Sequence, residues 1–379
     1  MSTKHGLWMN YVKKQNSKKL IQVASPSLPP LSEYVEYLEQ VWKTGILTHN
    51  GPLVREFERS VCNLLGLPNF VAVSNGTIAL QMAIKALNLK GEIITTPFSW
   101  IATVNAIKWE NCKPVFCDID PETLNIDVEK IESLITSKTV AILPVHVFGN
   151  PCEVKKIDKI ASKHKLRVIY DAAHATGSTL NGKSIFSWGD ISTTSLHATK
   201  LLTCGEGGGC VTNDEILLEN IKQIRFFGFD ENRVFRRDGF NGKMSELHAA
   251  LGICNLKYLK NVLADRKSKY LNYLALLNSN SSLRFQKLNG DGCNYSYFPI
   301  IFGDENSLLK TLAQLDENNV VARRYFYPSL ADFTNNSGIV NPTLASDIAS
   351  RTLCLPLHSD LTNTEIEKIA KIIADLGVG

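Results

Sequence analysis

The chain has 379 residues, 44% hydrophobic and 21% charged, a balance that suits a folded globular protein of about two to three domains and excludes a disordered polymer. Its 41 basic and 37 acidic residues leave a net charge of +4, too small and too evenly spread to favour nucleic acid or an anionic membrane surface. Nine scattered cysteines without C-x-x-C or Cys/His spacing argue for reduced thiols and no metal site, and the lack of a signal core or an 18-residue apolar run makes the cytoplasm the expected compartment.

Residues 1–30 are polar and basic, end in SPSLPP, and suggest an N-terminal arm feeding a first helix at 31–43. TGILTHNGP (44–52) is turn-rich, and Val54, Phe57, Val61 and Leu64 recur at helical spacing over 53–64. NFVAVSNGTIALQMAIKAL (69–87) is a short strand, a Ser-Asn-Gly-Thr turn and a helix that Ser74 or Asn75 caps. Strands at 92–96, 113–119, 140–145 and 166–171 then alternate with helices near 99–109, 127–136 and 152–164, which predicts an α/β fold with a mainly parallel sheet covered on both faces. ISTTSL (191–196) and GGCVTN (208–213) add two strands around Lys200. From Met244 a helix runs to about Leu277, followed by strands at 294–301 and 352–357 and helices near 305–318 and 362–375, the pattern of a smaller C-terminal α+β domain. The expected division is an arm at 1–30, a large domain at 31–255 and a small domain at 256–379.

Ligands of open α/β sheets sit beyond the carboxyl ends of the strands. Ser74-Asn75-Gly76-Thr77 opens a helix there, and its free N–H groups suit a phosphate or serve only as a cap. Asp171 ends the strand LRVIYD, where a carboxylate needs a partner such as a protonated pyridine nitrogen, or else caps the next segment. Ser195 and His197 share one face of the strand leading to Lys200, which stands before Gly205, Gly207, Gly208 and Gly209. An ordinary lysine is neutral in about one molecule in a few thousand at pH 7. A nucleophilic Lys200 therefore needs burial or a carbonyl partner such as pyridoxal phosphate; the alternative is a solvated lysine after a strand. Trp100 follows the strand at 92–96 and either stacks on a ring or packs in the core. A Rossmann G-x-G-x-x-G is absent.

In order along the chain, SNGTIALQMA, TPFSWIATVNA, DIDPETLNID, VIYDAAHATG, SLHATK, GEGGGCVTND and GFNGKMSELHAALG resemble the DegT/DnrJ/EryC family of nucleotide-sugar aminotransferases, over roughly residues 30 to 375. The resemblance implies an aspartate aminotransferase-like fold of type I and pyridoxal 5′-phosphate as cofactor. Lys200 would carry it covalently, Asp171 would pair with the pyridine nitrogen and His174 would lie near the phenolic oxygen. Trp100 would stack on the ring, Gly76, Thr77 and Ser195 would hold the phosphate, and Asn241 would reach a phosphate in the other subunit of a homodimer with shared sites. His197, Lys243, Arg324 and Tyr325 would face the substrate. This chain departs from many members in Lys243 for arginine, in His174 for glutamine, and in RRYFYP where relatives have H-Y.

The activity so implied is transfer of an amino group from glutamate to a nucleotide-linked keto-sugar. SLHATKLLTCGEGG and GFNGKMSEL resemble the branch that aminates C4 of dTDP-4-keto-6-deoxyglucose for surface polysaccharide; amination at C3 of the isomeric 3-keto sugar is the alternative. A dehydratase of the same fold, with histidine in place of the lysine, is disfavoured by Lys200, and a non-catalytic regulator by the retained lysine, aspartate and phosphate loop.

Overall fold

The computed structural model describes residues 19–290, 292–333 and 343–375; the first eighteen residues of the expected arm lie outside these. Helices α1 (Leu31–Thr44) and α2 (Pro52–Leu65) precede the sheet. The core then alternates β1 (Val71–Val73), α3 (Gly76–Ala86), β2 (Glu92–Thr95), α4 (Ile101–Trp109), β3 (Lys113–Phe116), α5 (Val128–Ile131), β4 (Thr139–Leu143), α6 (Val154–His164) and β5 (Arg167–Asp171). Strands β6 (Ile191–Ser195) and β7 (Gly208–Val211) and helix α7 (Glu215–Arg225) complete it.

The seven strands lie in the order β1-β7-β6-β5-β4-β2-β3. Strand β7 runs antiparallel to both neighbours while the other pairs are parallel, so the sheet is mainly parallel, as the alternation of strands and helices predicts. Its central strands β4 and β5 are buried on both faces, which is why they read as apolar runs instead of alternating ones. Helix α3 is buried almost all round, through Ala79, Leu80, Gln81, Met82, Ala83, Ile84 and Ala86, and lies across β6 and β7. Close approach there depends on glycine: a Cβ on Gly208 would fall 2.5 Å from the backbone of Asn75, and one on Gly209 2.0 Å from the Phe70 ring. A helix can begin against this strand because the strand has no side chains in the way.

Helix α8 (Glu246–Leu277) is 32 residues long and serves two cores. Its first half puts Ala249, Ala250, Ile253 and Leu256 against Phe57 and the other large-sheet residues, and its second half puts Tyr270, Tyr273 and Leu277 against Phe298, Ile300 and Leu355. The expected division at 255/256 thus falls inside one continuous helix. At its start, buried Glu246 accepts the N–H groups of Leu53 and Val54 at 2.8 and 3.1 Å, capping α2 from another helix and offsetting its positive end.

The C-terminal part carries β8 (Arg284–Phe285), β9 (Phe298–Ile301), α9 (Glu305–Glu317), α10 (Leu344–Ser350), β10 (Thr352–Leu355) and α11 (Asn363–Asp375). Its three strands form an antiparallel sheet in the order β8-β9-β10. Ile21 forms a parallel bridge with Val320 and packs in this same core, so the described part of the expected arm joins the C-terminal sheet region.

Three expectations need correction. The strand at 294–301 begins only at Phe298, because Tyr295 takes a left-handed φ of 52° and Asn294 turns its side chain to the carbonyls of His174 and Thr176. The helix at 127–136 is one α turn followed by a 3-10 turn at Glu132–Leu134, in keeping with the low helix preference of Ser133 and Thr136. Helix α7 was not anticipated, although Asp214 caps it through Ile216 and Leu217 and its buried Leu217, Ile221 and Ile224 have helical spacing. Among the described residues no helix is long and apolar enough to cross a membrane.

Candidate active site

The carboxyl ends of β5 and β6 and the start of α3 open into one cavity of about 900 Å³, lined by Gly76, Thr77, Trp100, Asp171, His174, Ser195, His197, Lys200, Lys243 and Tyr325 among others. Ten residues singled out in sequence, spread from 76 to 325, therefore meet in one place.

Asp171 is the last residue of β5 and is buried. Its Oδ2 accepts the Thr103 hydroxyl at 2.8 Å, and its Oδ1 accepts the Ala173 N–H at 3.1 Å. Burial pushes its carboxyl up, against the opposing pull of these two bonds and of Lys200. A carboxylate has about four acceptor sites, so capacity remains for a cation on the cavity side. Nothing in TPFSWIAT singles out Thr103; in the fold it stands one turn after Ser99, whose hydroxyl lies 2.8 Å from its own.

Lys200 follows β6 in the turn HATK, where its N–H donates to the His197 carbonyl at 2.8 Å. Burial, with help from Arg323, lowers the pKa of its amine to about 8 against the raising effect of Asp171. His174 is buried beside it, and its Nδ1 meets no hydrogen-bond partner among the described residues. The imidazole stacks near Phe148 at 6.2 Å and Phe326 at 5.8 Å, and burial plus the Lys200 charge hold it neutral, well below the usual histidine range.

At the opposite end, the side chain of Asn75 accepts the Ile78 N–H at 2.9 Å and fixes the start of α3. The first N–H groups of a helix have no intrahelical partner, and here they belong to Gly76 and Thr77. A Cβ on Gly76 would come 2.8 Å from the Cβ of Ser195, so glycine lets the helix end and the serine approach as one concave surface. Such a surface suits a phosphate, which gains from both the N–H groups and the helix dipole.

Trp100 is the N-cap residue of α4 and remains 53% exposed at the cavity, leaving a ring face free. His197 makes a 3.0 Å contact with Thr199 Oγ1 and faces Glu206 at 3.6 Å. The Lys243 ammonium lies 4.4 Å from the Phe227 ring centroid and donates to Asn241. Asn241 is exposed and does not line this chain's cavity.

Arg324 does not line it either. It is bound to Glu305 and the Ser350 carbonyl, and its guanidinium stacks 3.5 Å from the Tyr327 ring. Arg323 and Tyr325 line the cavity, whereas Arg324 is held outside it by Glu305 and the Ser350 carbonyl. Arg323, Tyr297 and Phe326 are cavity residues that sequence reasoning missed.

The unfilled capacity of Asp171, the unpartnered His174 nitrogen, the low-pKa amine of Lys200 and the glycine-lined helix start together fit pyridoxal phosphate. They match, in turn, its pyridinium, phenolic oxygen, aldehyde and phosphate.

Comparison with known proteins agrees with this geometry. The profile of the DegT/DnrJ/EryC1/StrS aminotransferase family matches residues 31–374. The dTDP-4-amino-4,6-dideoxy-D-glucose transaminase of Shigella dysenteriae is 40% identical over 365 residues, covering 95% of this chain and 100% of the relative. Among solved structures, DesI in the presence of its TDP-sugar product superposes with a TM-score of 0.89 at 30% identity, over 96% of this chain and 94% of that one. NtdA of Bacillus subtilis with bound cofactor PMP gives a TM-score of 0.83 at 29% identity, over 92% and 82% of the two chains.

Proposed function

The chain belongs to the DegT/DnrJ/EryC1/StrS aminotransferase family, and on that premise we propose that it is a pyridoxal phosphate-dependent aminotransferase that aminates C4 of dTDP-4-keto-6-deoxyglucose. The product is dTDP-4-amino-4,6-dideoxyglucose, a building block for O-antigen or other surface polysaccharide. The amino donor is L-glutamate and the setting the cytoplasm. The observation that carries the reading is the meeting of Lys200, Asp171 and the α3 start in one cavity; the Shigella relative supports the sugar, and DesI with its TDP-sugar product supports the nucleotide.

Pyridoxal phosphate, when bound, supplies a carbonyl that takes up an amino group and a ring that acts as an electron sink. In this reading the chain's own residues do the rest. Gly76 and Thr77 N–H groups and the Ser195 hydroxyl hold the phosphate, and Trp100 covers the ring. Asp171 keeps a proton on the pyridine nitrogen through a buried charge pair. Burial makes the neutral His174 imidazole a weak base that does not draw off that proton, and it would orient the phenolic oxygen. Lys200 would hold the cofactor through its Nζ, and that same amine, when free, would be the base that takes a proton from the donor's α-carbon. His197, Lys243 and Tyr325 line the remaining space for the sugar nucleotide.

The functional unit in this reading is a homodimer. Exposed Asn241, which is not among the residues lining its own cavity, is the residue that would reach the partner's phosphate site. Co-expressed Lys200→Ala and Asn241→Ala chains, each inactive alone, are expected to regain part of the activity in mixed dimers, where one site keeps both residues. Proven mixed dimers with no activity would rule out shared sites. The large unit built on the seven-stranded sheet and the small unit built on the three-stranded one are proposed as its two domains, with α8 common to both.

The substrate assignment is tested by supplying enzyme and glutamate with each dTDP-keto-sugar isomer and locating the new amino carbon by NMR. Amination at C4 is the expected result; a product aminated only at C3 would contradict the assignment and leave the Lys200 chemistry standing.

A further inference from the structure

Arg323 sits where it can act on a ligand at the reaction centre. Its backbone is tied to β10: its N–H donates to the Cys354 carbonyl at 3.0 Å, and its own carbonyl accepts the Cys354 N–H at 2.8 Å. From this fixed point the side chain enters the cavity. The guanidinium lies 4.9 Å from the Tyr325 ring centroid and 5.8 Å from that of Trp100, an aromatic support that steadies a planar cation. Among the described residues no carboxylate lies within ion-pair range of it, whereas its neighbour Arg324 is paired with Glu305. Its charge reaches Lys200, where it opposes protonation of the amine. Two cations thus face one space, an arrangement that a bound anion relieves.

Both substrates of the proposed reaction are anions, and their chemistry tells them apart. The sugar nucleotide carries its diphosphate on C1, across the pyranose ring from C4, so the phosphates lie a ring's width from the reacting carbon. The amino donor carries a carboxylate directly on the carbon that gives up its amine. That carboxylate must therefore lie beside Lys200 when the amine is in place. We propose that Arg323 binds the α-carboxylate of the amino donor through its guanidinium N–H groups and thereby sets the enzyme's preference for an amino acid as donor. The assignment rests on the aminotransferase reading above.

The holoenzyme and its Arg323→Gln and Arg323→Lys variants test it. A charge-assisted bond of this kind is worth about 10- to 100-fold in affinity. For Arg323→Gln, the KM for glutamate and the dissociation constant of 2-oxoglutarate measured by calorimetry are expected to rise by about that factor, with the KM for the dTDP-keto-sugar within about threefold of wild type. Arg323→Lys keeps the charge but not the fork, and is expected to fall between the two. Unchanged glutamate and 2-oxoglutarate constants in either folded variant would overturn the proposal. A rise confined to the nucleotide-sugar KM would overturn it too, by assigning Arg323 to the diphosphate. If wild type bound 2-oxoglutarate in an Arg323-dependent way but turned over no keto-sugar, the sugar aminotransferase reading would fail and the carboxylate site would stand.

Discussion

Lys200→Ala is expected to lower turnover at least about 10³-fold while leaving the fold intact. The substitution removes two things together: the amine that holds the cofactor and the base that moves the proton, the second of which alone is commonly worth about 10² to 10⁴ in rate. Folding should survive because the Lys200 ammonium forms no ion pair with a carboxylate among the described residues and its burial disfavours the charged form. The wild-type amine gives a second, pH-dependent signature. With a pKa of about 8, roughly a tenth of it is neutral at pH 7, against about one in a few thousand for an ordinary lysine. Lowering the pKa favours the neutral nucleophile, so the rate at which the apo-protein captures pyridoxal phosphate should rise about tenfold per pH unit below pH 7 and level off above pH 8. A profile still climbing tenfold per unit at pH 9 would show that the amine is unperturbed. Stopped-flow absorbance checks both the capture rate and the lost turnover.

Asp171→Asn has the second largest expected effect, a fall in activity of about 10²-fold or more with little change in melting temperature. Asparagine keeps the shape and can still accept the Thr103 hydroxyl, which now bonds Oδ2 at 2.8 Å. What it cannot do is carry the negative charge that holds a proton on the pyridine ring. Removing one partner of a buried ion pair costs about 3 to 5 kcal/mol, and each 1.36 kcal/mol is a factor of about ten in rate. The capture profile should also shift. Asp171 raises the pKa of Lys200, so its replacement should move the plateau to lower pH even as turnover falls. Near wild-type turnover in this variant would reduce Asp171 to a structural role, that of bonding Thr103 and the Ala173 N–H.

Of the strands that build the site, β5 was legible as an apolar run ending in a polar residue and β6 as a short run rich in β-branched residues, and their polar ends are what the parallel sheet gathers. Asp171 closes RVIYD and Ser195 closes ISTTS, so chain order and fold topology together bring them to one crevice. The start of α3 was legible for a similar reason, since Asn75 and Gly76 are a cap and a close-approach glycine in consecutive positions.

What escaped the sequence depended on tertiary register. RRYFYP shows two adjacent arginines with nothing local to rank them. The pairing of Arg323 with Cys354 and the hold of Glu305 and the Ser350 carbonyl on Arg324 decide that Arg323 lines the cavity and Arg324 does not, and all three partners are distant in the chain. Thr103 and Tyr297 were hidden in the same way, as members of elements whose facing neighbours are far apart in the chain. The short stretch before β9 misled because Tyr295 and Tyr297 are of a strand-favouring type, whereas Asn294, through its contacts with the His174 and Thr176 carbonyls, fixes a turn. Helix α7, by contrast, carried an ordinary cap and apolar spacing that pattern reading alone suffices to find.

The central claim is that Lys200 is the residue to which the cofactor is bound. Purified protein loaded with pyridoxal phosphate and treated with borohydride, then digested and analysed by mass spectrometry, tests it most directly. The account predicts a yellow protein whose visible absorbance disappears on reduction, with the added mass of the reduced cofactor on the peptide that contains His197 to Lys200. The same mass on a different lysine, or no covalent attachment at all, would contradict it.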